Sequence, residues 1–353
     1  MAVNPYESLP ARAFWRSAVA EADLSALDEL WTPKFAIGQD DCILTAGSCF
    51  ARHIGRALRD RGMNWRDAEL APPGLTEAER QARHFGAFSF RTGNVYTAAS
   101  LRQWLSWAHG ESTPPSEVWS EDGRHFDPYR PTIEPAGFAS PEAMLAARHV
   151  TLAAIRNAVV DASCLVFTLG LTESWRHRAE GTVYPLCPGT VRGTFDASHH
   201  VFHNSTHDDV YRDLLAAIAL ARAANPGLRV LLTVSPVPLT ATATGRHALA
   251  ATTYSKSVLR AAAGQLAEEL AYVDYFPAYE LVTGFPLKAR FFEPNLRTVT
   301  PEGVAFVMRH FFGALAKRPS EAAPARRARP IHGADSGEDF ECDDAILDYY
   351  NPR

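Results

Sequence analysis

The sequence predicts a three-layer α/β/α sandwich built on a parallel sheet, with an aromatic-rich insertion. Three observations carry this. Short apolar runs alternate with segments of helical periodicity, the order that gives a parallel sheet covered on both faces. The runs end in small or polar residues, at Gly47-Ser48, Gly170, Ser235 and Pro277. In open α/β sheets ligands bind beyond such C-terminal strand ends, so four segments are expected to converge on one rim. Residues 71–140 interrupt the rhythm with PPG, TPP, DPYRP and EPAG and with Phe85, Phe88, Phe90, Tyr96, Trp104, Trp107, Trp119 and Phe126. A long segment of that kind reads as an insertion over the site.

Taken in order, residues 1–40 form an aromatic lead-in broken by Pro5, Pro10 and Pro33, read as an arm around the first strand. Ile43, Leu44 and Ala46 make the first buried strand. Gly47 suits a sharp turn. Phe50, Ile54, Ala57 and Leu58 then recur at helical spacing. Residues 63–70 read as a second short strand. Residues 141–161 read as a helix, with Ser140 as cap, Pro141 at its first position and Glu142 in its first turn. Residues 165–169 are a central parallel strand. Residues 182–207 carry few periodic signals. Helices are expected over 208–224, 248–270 and 301–315, and strands over 229–234 and 272–276. One domain, residues 1–318, is predicted, followed by a tail. Its 319–330 part is rich in Pro, Ala and Arg and is expected to be disordered. Its acidic 335–348 part is a solubilising tail or a contact for a protein partner.

Composition excludes several classes. The chain has 353 residues, 46% apolar and 21% charged, with net charge −5, which does not call for a nucleic-acid partner. The five cysteines are odd in number and lack a CxxC pair, so neither a disulfide framework nor a zinc ribbon is expected. Reduced thiols fit a cytoplasmic protein. The first residues have no apolar h-region, so no signal peptide is expected. No window approaches about 18 uninterrupted apolar residues, so no membrane span is expected.

The stretch CILTAGSCFARHIGRALRDR, residues 42–61, orders a strand, a Gly-Ser turn and a helix. That order puts Ser48 at the positive helix end, with its hydroxyl exposed and N–H groups nearby to hold an oxyanion. Gly47, Ser48, Cys49, Phe50 and Ala51 resemble the first motif of the GSCFA family, a branch that looks like the SGNH (GDSL-type) hydrolases. RTGNVYT at 91–97 and ATTYSKSVLR at 251–260 resemble further signatures of that family. The resemblance implies an SGNH-like, flavodoxin-like fold and a hydrolase or O-acyltransferase acting on an acyl ester, a small molecule or a carbohydrate. Ser48 would be the nucleophile.

The other parts of such a site are incomplete. The resemblance places oxyanion donors at the Ser48 N–H, Gly170 and Thr172, the last standing where the hydrolases carry Asn. Glu173 orients a base, accepts from a substrate hydroxyl, or pairs with Arg176. The hydrolases place Asp-x-x-His before the last helix; here those positions fall on Asn295 and Thr298, neither of which is a base near neutral pH. His247 is the substitute base. His53 is a turn beyond Ser48. Cys49 is a rival nucleophile or a buried thiol. Lys256, Asn295 and Arg297 are candidates for an anionic substrate group. Arg91 or Asn94 is placed to reach a substrate, although a Gly93-Asn94 turn explains them as well. His199, His203 and His207 share a face only if helical, so neither a metal nor a cofactor is expected. The competing reading is a ligand-binding protein that has lost the Asp-His dyad.

Overall fold

The computed structural model describes residues 4, 6, 9–24 and 27–317. The expectations for the 319–353 tail lie outside the described residues.

Four parallel strands form the central sheet: β1 (Ile43–Gly47), β4 (Cys164–Leu169), β8 (Arg229–Val234) and β9 (Val273–Phe276), in the order β1-β4-β8-β9. Side chains alternate between its faces. Leu44, Leu165, Phe167, Val230 and Leu232 enter one core, and Ile43, Cys164, Val166 and Leu231 enter the other. Helices α3 (Ala98–His109), α4 (Pro141–Asp161), α5 (His207–Ala224) and α6 (Ala248–Glu269) contribute to the first core. Helices α1 (Phe50–Asp60), α7 (Ala278–Thr283) and α8 (Pro301–Lys317) contribute to the second. This is the expected three-layer sandwich. The predicted cap forms, Ser140 Oγ accepting from Ala143 N–H at 3.2 Å, and Thr300 Oγ1 likewise accepts from Gly303 N–H at 3.1 Å at the start of α8.

The strand expected over 63–70 is reduced to one parallel bridge, Ile43 with Trp65. Its bonds are Ile43 N–H to Asn64 O (2.9 Å) and Arg66 N–H to Ile43 O (2.9 Å). Further along β1 the edge passes to Ser89, whose N–H reaches Thr45 O at 3.0 Å and whose Oγ accepts from Thr45 N–H at 2.9 Å. Two separated pieces thus do the work of one strand.

Residues 71–140 hold more regular structure than their punctuation suggests: α2 (Glu77–Ala82), α3, and the hairpin β2 (Trp119–Glu121) with β3 (Arg124–Phe126). α3 packs on α5 and α4, and its tryptophans join the sheet's own hydrophobic cluster. Residues 173–204 supply β5 (Glu173–His177), β6 (Val183–Tyr184) and β7 (His200–Asn204), a small antiparallel sheet of order β6-β5-β7.

The N-terminal arm does not wrap the first strand. It crosses β9 and β8 before entering β1. Lys34 N–H and Trp31 Nε1 both donate to Asp274 of β9, at 2.8 and 3.2 Å. Arg229 at the start of β8 holds Ala36 O and pairs with Asp41 at 2.9 Å.

Candidate functional site

The site is built from backbone outward. Gly47 ends β1 at φ +132°, and a Cβ there would sit 2.3 Å from Thr168 O. No L side chain fits that approach, so glycine lets β1 run flush against β4. Ser48 N–H donates to Thr168 O at 3.0 Å and carries the ladder one residue past the strand. Cys49 is the N-cap of α1, and no side chain caps that end. The capping role open to Ser48 is therefore not taken.

Ser48 is 2% exposed, and its Oγ has no hydrogen-bond partner among the described residues. The exposed hydroxyl expected from sequence is instead sealed. Burying a hydroxyl unsatisfied costs about 1–3 kcal/mol, so such a group calls for a reason other than stability. Cys49 is disulfide-bonded, which removes the rival thiol and corrects the expectation that the cysteines are reduced.

Three other segments meet Ser48. From the RTGNVYT stretch, Val95 N–H donates to Gly47 O at 2.9 Å, while Tyr96 O accepts from Gly170 N–H at 2.9 Å and Leu171 N–H at 3.1 Å. A Cβ on Gly170 would lie 3.0 Å from Ser48 Cβ and 3.1 Å from Tyr96 Cδ1. From α6, Lys256 Nζ donates to Gly170 O at 2.8 Å, and Ser255 Oγ accepts from Thr172 N–H at 3.1 Å. The two N–H groups expected to hold an oxyanion, on Ser48 and Gly170, are thus given to backbone carbonyls. Thr172 is fully buried, and its Oγ1 has no hydrogen-bond partner among the described residues. Asn94, 4% exposed, lies on the same 91–97 segment.

The remaining predicted residues have defined contacts. Glu173 accepts from Thr242 Oγ1 at 2.6 Å and Ala243 N–H at 3.1 Å, and so orders the loop that leads into α6. His247 is exposed and caps α6, its Nδ1 accepting from Leu249 N–H at 3.2 Å. Asn295 and Thr298 bond to each other, Nδ2 to Oγ1 at 2.9 Å, while Asn295 Oδ1 accepts the N–H groups of Arg297 and Thr298 at 2.9 Å each. They form a closed turn. Burial, with Arg56 and Arg52 adding to it, pulls the His53 imidazole down to about 4, leaving a neutral and weakly basic ring.

Arg91 is spent on structure. Its guanidinium binds Arg83 O and Ile133 O, each at 2.9 Å, and pairs with Glu134 and Glu69. Behind it Asp127 is gripped by Arg130 and Arg148, each at 2.8 Å. Arg130 Nη1 holds Arg91 O at 3.0 Å, and this buried cluster anchors the segment that carries Asn94 and Tyr96. His199 precedes β7, His203 lies within it and His207 opens α5, so the shared helical face does not form.

Sequence reasoning left Ser255 and the Tyr96 carbonyl unnoticed. Ser255 was legible: Ala251, Ser255, Lys256, Leu259, Ala262, Ala263 and Leu266 make the buried stripe of α6. A serine and a lysine set in an apolar stripe mark a polar contact. The Tyr96 carbonyl is a backbone group and leaves no trace in residue type.

Fold and rim together define an α/β protein with its candidate site at the C-terminal ends of a parallel sheet. The model of the GSCFA family matches residues 42–311, and the chain belongs to that family. No curated protein matches it. Among the described residues no helix is long and apolar enough to cross a membrane.

Proposed function

We propose that this protein is an SGNH-like serine enzyme, a hydrolase or O-acyltransferase that works on an acyl ester of a small molecule or carbohydrate. The observation that carries the reading is the unpartnered Ser48 Oγ at the C-terminal end of β1, beside Gly170; because it is buried, the segments around it have to part before an ester reaches it. In this reading Ser48 Oγ attacks the acyl carbonyl and the ester alkoxide leaves. Hydrolysis then returns the acyl group to water, and transfer returns it to an alcohol. The Thr172 hydroxyl and the Asn94 amide are the proposed oxyanion donors. His247 is the proposed base; no hydrogen bond joins it to Ser48 in this structure, so it would have to give up Leu249 N–H and swing in to take the serine proton and return it to the leaving oxygen. Glu173 steadies the loop before it. Arg297 is proposed to favour an anionic group on the substrate.

The test uses a fluorophosphonate probe and p-nitrophenyl acetate. Labelling and turnover that vanish in Ser48→Ala support the enzyme. A second reading, a non-hydrolytic binding protein, is favoured by the closed Asn295–Thr298 turn and by the engaged Ser48 and Gly170 amides. Neither labelling nor turnover in the wild-type chain would select it.

A further inference from the structure

We infer that Lys256 and Ser255 are a positioning pair, which holds the Gly170–Thr172 turn against Ser48 at reactive distance. The inference deepens the serine-nucleophile reading and rests on it for one of its two readouts.

Lys256 is 1% exposed, inside the apolar stripe of α6. Burying an ammonium costs several kcal/mol unless its donors are satisfied, so its position in the stripe is set by what it bonds. Its ammonium donates to the Gly170 carbonyl at 2.8 Å.

The neighbouring bonds point to the same purpose. Ser255 Oγ takes Thr172 N–H. Tyr96 O takes the N–H groups of Gly170 and Leu171, and Ser205 N–H donates to Thr172 O at 2.9 Å. Five backbone groups across three residues are thus tied by α6, by the 91–97 segment and by the start of the α5 connection. Such restraint exceeds what a strand-to-loop turn needs. What the turn faces is Ser48: a Cβ on Gly170 would already press its Cβ at 3.0 Å. A shift of the turn toward Ser48 crowds the nucleophile, and a shift away removes the wall a substrate carbonyl would lean on. Misplacement by about 1 Å is enough to cost about a hundredfold in rate.

The test compares full-length wild type, Lys256→Met and Ser255→Ala by melting temperature, by the rate of fluorophosphonate labelling at Ser48, and by amide hydrogen exchange at Gly170, Leu171 and Thr172. The expected result for Lys256→Met is labelling slowed at least about tenfold and exchange at those three amides speeded beyond any change in global stability. Wild-type labelling together with wild-type exchange overturns the inference. If the wild-type chain itself is not labelled, the nucleophile reading has failed, and exchange alone decides: faster exchange in the variant supports the clamp and unchanged exchange overturns it. If Lys256→Met does not fold, Ser255→Ala, which removes only the acceptor for Thr172 N–H, is read in the same way.

Discussion

At the scale of single residues, the site depends on one missing side chain and one missing base. Gly47→Ala would place a Cβ 2.3 Å from Thr168 O at a φ of +132°. Both the clash and the backbone conformation act against it, and a loss of about 3 kcal/mol or more is expected, read as a lowered urea midpoint with unchanged slope. The second gap is testable by addition. In the proposed serine-enzyme reading Asn295 and Thr298 stand where SGNH enzymes carry Asp and His, and the Asn295 side chain already closes the local turn. The double change Asn295→Asp with Thr298→His supplies an imidazole oriented by a carboxylate. Turnover of p-nitrophenyl acetate is expected to rise by about a hundredfold. The same double change on a Ser48→Ala background should gain nothing, and an equal gain there would point to a nucleophile other than Ser48.

At the scale of elements, legibility followed how clearly the flanking residues punctuate each one. α4, β8 and α8 begin where the sequence puts them, because Ser140-Pro141, the 229–234 run and Thr300-Pro301 are strong local signals. α3 was missed, although Thr97 caps it and Gly110 ends it. Its stripe was there to be read, since Leu101, Trp104, Leu105 and Ala108 stand at helical spacing, but the Pro-rich punctuation on either side masked it. The chemistry was legible in part: the Gly-Ser turn, Gly170 and the Ser-Lys stretch could be read as motifs, but their mutual bonds run through backbone atoms. The Asp127 cluster was invisible too, since an Asp and two Arg separated by up to 21 positions have no period. Burial alone would raise the Asp127 pKa, but Arg148 and Arg130 outweigh it and hold the carboxyl below its ordinary range. Its folded value is depressed, so its contribution is complete above the unfolded value of about 4 and is lost as pH falls through the folded one. Asp127→Ala strands two buried guanidinium groups, and about 3–5 kcal/mol of stability should be lost near neutral pH. The gap between variant and wild type should narrow in acid below about pH 4, as followed by urea unfolding across pH.

At the scale of the whole molecule, the aromatic segment and the sheet are one body of apolar contacts. Trp104, Trp107 and Trp119 share a cluster with Phe167, Leu232 and Val273. The expected outcome is a single thermal transition: near-ultraviolet circular dichroism, dominated by those tryptophans, should melt together with the far-ultraviolet helix signal. An early tryptophan-only transition would mean that residues 71–140 unfold as a separate lid. The margins of the sheet have a further consequence. β1 gives its outward N–H and C=O groups to residues 64, 66 and 89, none of which belongs to a strand. An incoming extended peptide therefore finds no row of vacant amides along that flank, and templated growth of the sheet is blocked there. Any macromolecule that engages this protein on the β1 side has to read side chains rather than zip onto main chain.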